Sequence, residues 1–169
     1  MRSARPRTAG VAPFKQGMRA LVGGVTVLAT QDRTGLYVGL TATSVTSLSV
    51  EPPSLLVCVN RSSAIAEALE PDVHFSANVL AENQVDVAQA FGGQRAVRGA
   101  AKFTYGSWFR SEHDVPLLAG ARVSFECVVA ELTEWATHRV VMGRVCDVHF
   151  INPAASPLVY HDGRYMTVA

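Results

Sequence analysis

Residues 121–132, ARVSFECVVAEL, place Val123, Phe125, Cys127 and Val129 at every second position, and HRVVMGRVCDVHF (138–150) follows after the short link TEWAT. Successive side chains of a strand project to opposite faces, so this period of two predicts two long strands. A link of that length joins antiparallel neighbours, since parallel ones need a long crossover. SPLVYHDGRYMTV then predicts a closing hairpin around Asp162–Gly163, a dipeptide suited to the positive φ angles of a tight turn. The last third of the chain is therefore committed to antiparallel sheet.

Upstream, the pattern is strand with short helical interruptions. FKQGMRALVGG (14–24) carries Phe14, Met18, Leu21 and Val22 on one stripe of a short helix that stops at Gly23–Gly24. VTVLAT (25–30) and LYVGLTA (36–42), joined by QDRTG, predict a hairpin. TATSVTSLS (41–49), with six hydroxyl residues in nine, reads as a loop, and the prolines of VEPPS end any helix before LLVCVN, a continuous apolar strand expected to be buried on both faces. RSSAIAEALEPD is a short helix that Ser62 or Ser63 can cap, with Ile65 and Leu69 on one face. VHFSANVL is a further strand, and AENQVDVAQAFGG a helix with Val85, Ala88 and Phe91 on its stripe. The absence of a βαβ rhythm favours a mainly β protein, a β-barrel with helical insertions.

A chain of 169 residues with 49% hydrophobic content is about one domain with a well-buried core. Residues 1–12 are expected to be a flexible tail and 13–169 the domain. Fifteen basic residues against 14 acidic ones give no field suited to nucleic acid, and no apolar run approaches the roughly 20 residues of a membrane helix. Cys58, Cys127 and Cys146 lie far apart, are odd in number and lack paired spacing, which points to buried free thiols in a reducing cytoplasm.

The motifs of common catalytic and nucleotide sites are missing. There is no G-x-S-x-G turn, no P-loop and no G-x-G-x-x-G, and the five histidines show no H-x-x-x-H pair, so no metal site is expected. A phosphate or polar heterocycle is also held by turn N–H groups, hydroxyls and a helix start. Two such devices stand in tandem, Thr41 to Ser49 and the NRSS start of the next helix, although side-chain-to-backbone bonding in turns is an equally ordinary use of these residues.

Five stretches in order, GVTVLAT (24–30), VGLTATSVTSLSVEPPSLLVCVNRSS (38–63), HFSANVLAENQVDVAQAFGG (74–93), HRVVMGRV (138–145) and PLVYHDGRY (157–165), resemble the flavin reductases of two-component monooxygenases. The resemblance implies an FMN-binding split β-barrel, a Greek-key-like antiparallel barrel with short helices. It implies hydride transfer from NADH or NADPH to FMN or FAD, a homodimer, and delivery of reduced flavin to a monooxygenase. By the same resemblance Thr41, Ala42, Thr43 and Ser44 line the flavin, Cys58, Val59 and Asn60 offer main-chain contacts, and Ser62 and Ser63 approach its phosphate. Asn78 and Gln84 supply a further wall. Lys102 with Phe103 occupies the place of the family's KF dipeptide, where a lysine meets phosphate as a point charge. His138 matches the histidine that serves the nicotinamide, with Tyr160 and Arg164 near the same face.

Two departures stand out. Relatives commonly carry Gly-Asp before that histidine, where this chain has Ala136 and Thr137, and an acid before the KF pair, where it has Ala101. Arg95 and Arg98 in the preceding loop are either phosphate ligands or solvated charges. The altered turn keeps open the alternative of a non-enzymatic flavin-binding or delivery protein of the same fold.

Overall fold

The computed structural model describes residues 8–168. Most of the expected tail, residues 1–7, lies outside them, but its last two residues already belong to helix α1, Val11–Arg19. The strands are β1 (Gly23–Gly24), β2 (Thr26–Gln31), β3 (Tyr37–Ala42), β4 (Val45–Val50), β5 (Pro53–Asn60), β6 (His74–Val79), β7 (Trp108–Arg110), β8 (Pro116–Leu118), β9 (Val123–Trp135), β10 (His138–Phe150), β11 (Leu158–His161) and β12 (Arg164–Thr167). Helices α2 (Ala64–Ala68) and α3 (Val85–Phe91) and a 3-10 turn at Gly99–Thr104 interrupt them.

Seven strands form one antiparallel sheet in the order β3-β2-β6-β9-β10-β5-β4. Its two edges, β3 and β4, are consecutive in the chain and meet at the corner Thr43–Ser44, so the sheet curls around one interior. Leu28, Val38, Val57, Val59, Phe75, Ala77, Cys127, Val129 and Val141 fill that interior from six of the strands. Gly143 of β10 makes room for it: a Cβ there would come within 2.6 Å of the Phe75 ring. A second apolar cluster lies outside the sheet, where Val25, Val27, Leu80, Val87, Ala88, Phe91, Leu118 and Leu158 pack α3, β8 and β11 against it.

The long β9–β10 pair and the β11–β12 hairpin form as the alternation predicts, with Asp162 and Gly163 at φ 47° and 79°. The β2–β3 hairpin is tied by Asp32, whose Oδ1 accepts bonds from Thr34 N, Thr34 Oγ1 and Leu36 N at 2.6–3.0 Å. Several expectations are corrected. TATSVTSLS is not a loop: it is the end of β3, a two-residue corner and most of β4. β5 is fully buried on one face only, through Leu55, Val57 and Val59, while Leu56 and Cys58 on its other face are half-buried; β2 and β6 are the strands of this sheet with consecutive buried residues on both faces. Ser63 occupies the N-cap position of α2 without a capping bond, because its hydroxyl donates back to Asn60 O at 2.6 Å. Of the three unpaired cysteines only Cys127 is buried; Cys58 is partly exposed and Cys146 exposed. Burial pushes the Cys127 thiol up to about 12.

Candidate functional site

β3 is the spine of the site. Between β3, the start of α2 and the segment after α3 lies a cleft of about 490 Å³ whose lining includes Gly39, Ser62, Ser63, Phe91, Arg98 and Lys102. It shares Gly92 with a smaller cleft of about 190 Å³ formed by Thr41, Ala42, Thr43, Gln94, Tyr160 and Tyr165. The two adjoin at Gly92 in a groove that follows β3, the first cleft cationic and hydroxylic and the second aromatic. Glycine is needed at two points in it. A Cβ on Gly39 would sit 2.7 Å from Leu28 O and 2.8 Å from the Phe91 ring, and one on Gly92 would sit 2.9 Å from Ala88 O.

The NRSS loop is built by Asn60. Its Oδ1 accepts from Ser62 N at 3.0 Å and Ser62 Oγ at 2.9 Å, while its carbonyl accepts from Ser63 N and Ser63 Oγ. Asn60 therefore shapes the loop that carries Ser62 and Ser63 to the cleft. At the β3–β4 corner Ser44 Oγ donates to Cys58 O at 3.0 Å, fixing the corner to β5. Thr41 Oγ1 donates to Ala88 O at 2.8 Å, so this hydroxyl anchors α3 and leaves the main chain of Thr41 to line the smaller cleft.

Lys102 reaches over the Phe91 ring and lies 3.4 Å from both Gly39 O and Phe91 O. Burial and then the charge of Arg98 hold its ammonium below the ordinary lysine value. Two cations crowded at the end of a cleft are an arrangement that an anion relieves. Arg95, by contrast, is paired with Asp86.

His138 opens β10 directly opposite Asn60 in the β5–β10 register. The turn before it is docked on the NRSS loop: Arg61 N donates to Thr137 O at 3.0 Å, and Arg61 pairs with Glu134 at 3.2 Å. Thr137 Oγ1 lies 2.9 Å from His138 Nδ1 and holds the ring. Ala136 adopts φ 50°, the left-handed conformation that a glycine takes without strain. The tight turn survives the loss of Gly-Asp and keeps the histidine beside the NRSS loop.

Of the sequence-predicted residues, Thr41, Ala42, Thr43, Ser62, Ser63, Lys102 and Tyr160 line the two clefts; Ser44, Cys58, Asn60 and His138 stand beside them without lining either, and Val59, Asn78, Gln84, Phe103 and Arg164 have side chains turned elsewhere. Asn78 is fully buried; its Nδ2 donates to Val27 O and Ser76 Oγ, and its Oδ1 accepts from Leu118 N and Ser124 Oγ, which ties β2, β6, β8 and β9 together. Gln84 accepts from Ala81 N and donates to Ala119 O. Phe103 packs against Tyr37, Phe91 and Trp108 behind the groove. Arg164 pairs across the hairpin with His161, on the face opposite that of Tyr160 and Tyr165, and lies exposed beside Asp162. Val59 is buried and contributes only its backbone. The residues missed are Gly39, Phe91, Gly92 and Tyr165. FGG reads locally as a helix stop, and Tyr165 was visible only as a member of the GRY end of a hairpin.

The chain matches the family described as flavin reductase like domain over residues 18–169. It is 33% identical over 169 residues to FMN reductase (NADH) RutF of Variovorax paradoxus, covering all of this chain and 92% of the relative. It is 34% identical to the reductase component of the FADH(2)-dependent resorcinol hydroxylase of a Rhizobium species, covering 90% of this chain and 84% of the relative. Among solved structures, the Streptomyces globisporus NADH:FAD oxidoreductase SgcE6 in complex with NAD and FAD fragments superposes with a TM-score of 0.83 at 27% identity, covering 94% of this chain and 92% of that one. A mainly antiparallel β scaffold and a family match over most of its length together place the chain in the flavin reductase like domain family.

Proposed function

We propose that this protein is an NAD(P)H-dependent flavin reductase that passes a hydride from NADH or NADPH to FMN or FAD and supplies the reduced flavin to a partner monooxygenase. The observation that carries this reading is the adjacency of the two clefts at Gly92, which offers cations and hydroxyls to a phosphate on one side and tyrosines to a ring system on the other. Flavin supplies the hydride acceptor, so the chain needs no acid–base dyad; its task is to hold two ring systems face to face at about 3–3.5 Å. Arg98, Lys102 and the Asn60-ordered hydroxyls of Ser62 and Ser63 hold the flavin phosphate. The main chain of Thr41–Thr43 and the corner at Ser44 line the flavin, with Tyr160 and Tyr165 closing the aromatic end. His138, held by Thr137, receives the nicotinamide.

Assembly as a homodimer is supported by helix α1, which buries none of its residues within the chain. Val11, Phe14 and Met18, with Leu21 and Val22 just beyond, present a continuous apolar stripe that a second copy would cover. No helix among the described residues is long and apolar enough to cross a membrane, and the unpaired cysteines suit a reducing cytoplasm. The test is steady-state oxidation of NADH and NADPH with added FMN or FAD. Flavin-dependent oxidation of at least one nicotinamide is expected, and its absence with every pairing overturns the proposal.

A further inference from the structure

On the outer face of the sheet, beneath the loop that links β7 to β8, three strands bring together side chains far apart in sequence. Glu126 of β9 is 1% exposed. Its Oε1 accepts from Ser111 Oγ at 2.7 Å and lies 2.7 Å from His113 Nδ1, and its Oε2 lies 3.2 Å from His149 Nε2. His74, at the start of β6, stacks on His113 with ring centroids 4.3 Å apart and planes 8° from parallel. Among the described residues, His74 Nδ1 is the one buried side-chain polar atom without a hydrogen-bond partner. Such an orphan costs about 1–3 kcal/mol and calls for an explanation.

We propose that His74, His113 and Glu126 form a binding site for a zinc-class divalent transition metal. One donor atom from each lies within 4.8 Å of the others. Two imidazole nitrogens and one carboxylate oxygen suit zinc and its neighbours and not the all-oxygen preference of Mg²⁺ or Ca²⁺. Bonds of about 2.0–2.2 Å in tetrahedral geometry put donor atoms about 3.3 Å apart. The wider separations therefore close, and the His113–Glu126 contact opens as the metal takes its place. The metal satisfies the orphaned His74 nitrogen and neutralises the buried Glu126 charge. His149, on the other carboxylate oxygen, is the outer partner that orients the ligand, with Asp147 at 3.6 Å behind it. The site would pin the His113 loop to the sheet.

The experiment uses the full chain after chelator treatment and dialysis, titrated with Zn²⁺ by calorimetry and with Co²⁺ as a visible-absorbance probe. One equivalent of each is expected to bind, with a raised thermal midpoint, and Mg²⁺ or Ca²⁺ should not reproduce the shift. His113→Ala, at a half-exposed side chain, and the isosteric Glu126→Gln should weaken binding by at least the roughly 10–100-fold that loss of an outer partner costs a metal site. His161→Ala, on the distant hairpin, should leave it unchanged. The absence of saturable Zn²⁺ binding, or binding that survives both ligand variants, overturns the proposal, and neither result bears on flavin reduction.

Discussion

Replacing Asn78 by alanine separates a structural role from a flavin-binding one. The side chain makes four hydrogen bonds at 2.6–3.1 Å inside the sheet. Truncation orphans the buried Leu118 N–H outright, at about 1–3 kcal/mol, and removes three further bonds worth about 0.5–1.5 kcal/mol each. The expected loss is about 2.5–7.5 kcal/mol, a large share of the roughly 5–15 kcal/mol that holds a domain together. At about 2–4 °C per kcal/mol for a chain of this size, the thermal midpoint should fall by at least about 5 °C. Ser124→Ala, which removes one of the four bonds, should cost about 1 kcal/mol. Urea unfolding measures both, and flavin titration of the folded fraction at low temperature should return a wild-type dissociation constant. An Asn78→Ala protein that unfolds like the wild type yet binds flavin weakly would refute this reasoning and return Asn78 to the flavin wall.

Other outcomes follow from the groove. Ala136→Gly relieves a left-handed alanine, which costs about 1–2 kcal/mol, against the roughly 0.5–1 kcal/mol entropic cost of glycine. A gain of up to about 1 kcal/mol in urea unfolding is expected, and a loss would show that the turn is not strained. His138→Ala should raise the KM for the nicotinamide far more than that for flavin, whereas equal effects would misplace it. Lys102 is held below the ordinary lysine value, so as pH rises toward that value the folded protein loses this proton before the unfolded chain does. Stability should therefore increase slightly over that alkaline window while affinity for phosphate-bearing flavin falls. In Lys102→Met the flavin titration should be weaker throughout and should lose that alkaline limb.

Much of the fold was legible because strand alternation is a local signal: Val123, Phe125, Cys127 and Val129 declare a strand whatever surrounds them. The hydroxyl segment was misjudged because Thr and Ser are as much at home in a half-exposed edge strand such as β4 as in a loop. Asn78 and Gln84 were misassigned for a related reason. A polar residue among apolar ones reads alike whether it faces a ligand, joins four strands in the core as Asn78 does, or braces a turn as Gln84 does, and only the partners decide. The histidine cluster had no local trace, since spacing reveals ligands on one element and these come from residues 74, 113 and 126 on separate ones. The loop of Ser62 and Ser63 was legible as NRSS, whereas the narrowing at Gly39 and Gly92 depends on Phe91 and Ala88 packing across from them.

The most direct test of the central claim is a single turnover without oxygen, in which the protein and one equivalent of FMN or FAD are mixed rapidly with NADH or NADPH and the flavin absorbance is followed. Bleaching of the flavin at a rate that saturates with nicotinamide concentration, matched mole for mole by loss of the reduced nicotinamide, is the predicted result. Tight flavin binding with no bleaching by either nicotinamide would contradict the account and leave a flavin carrier in its place.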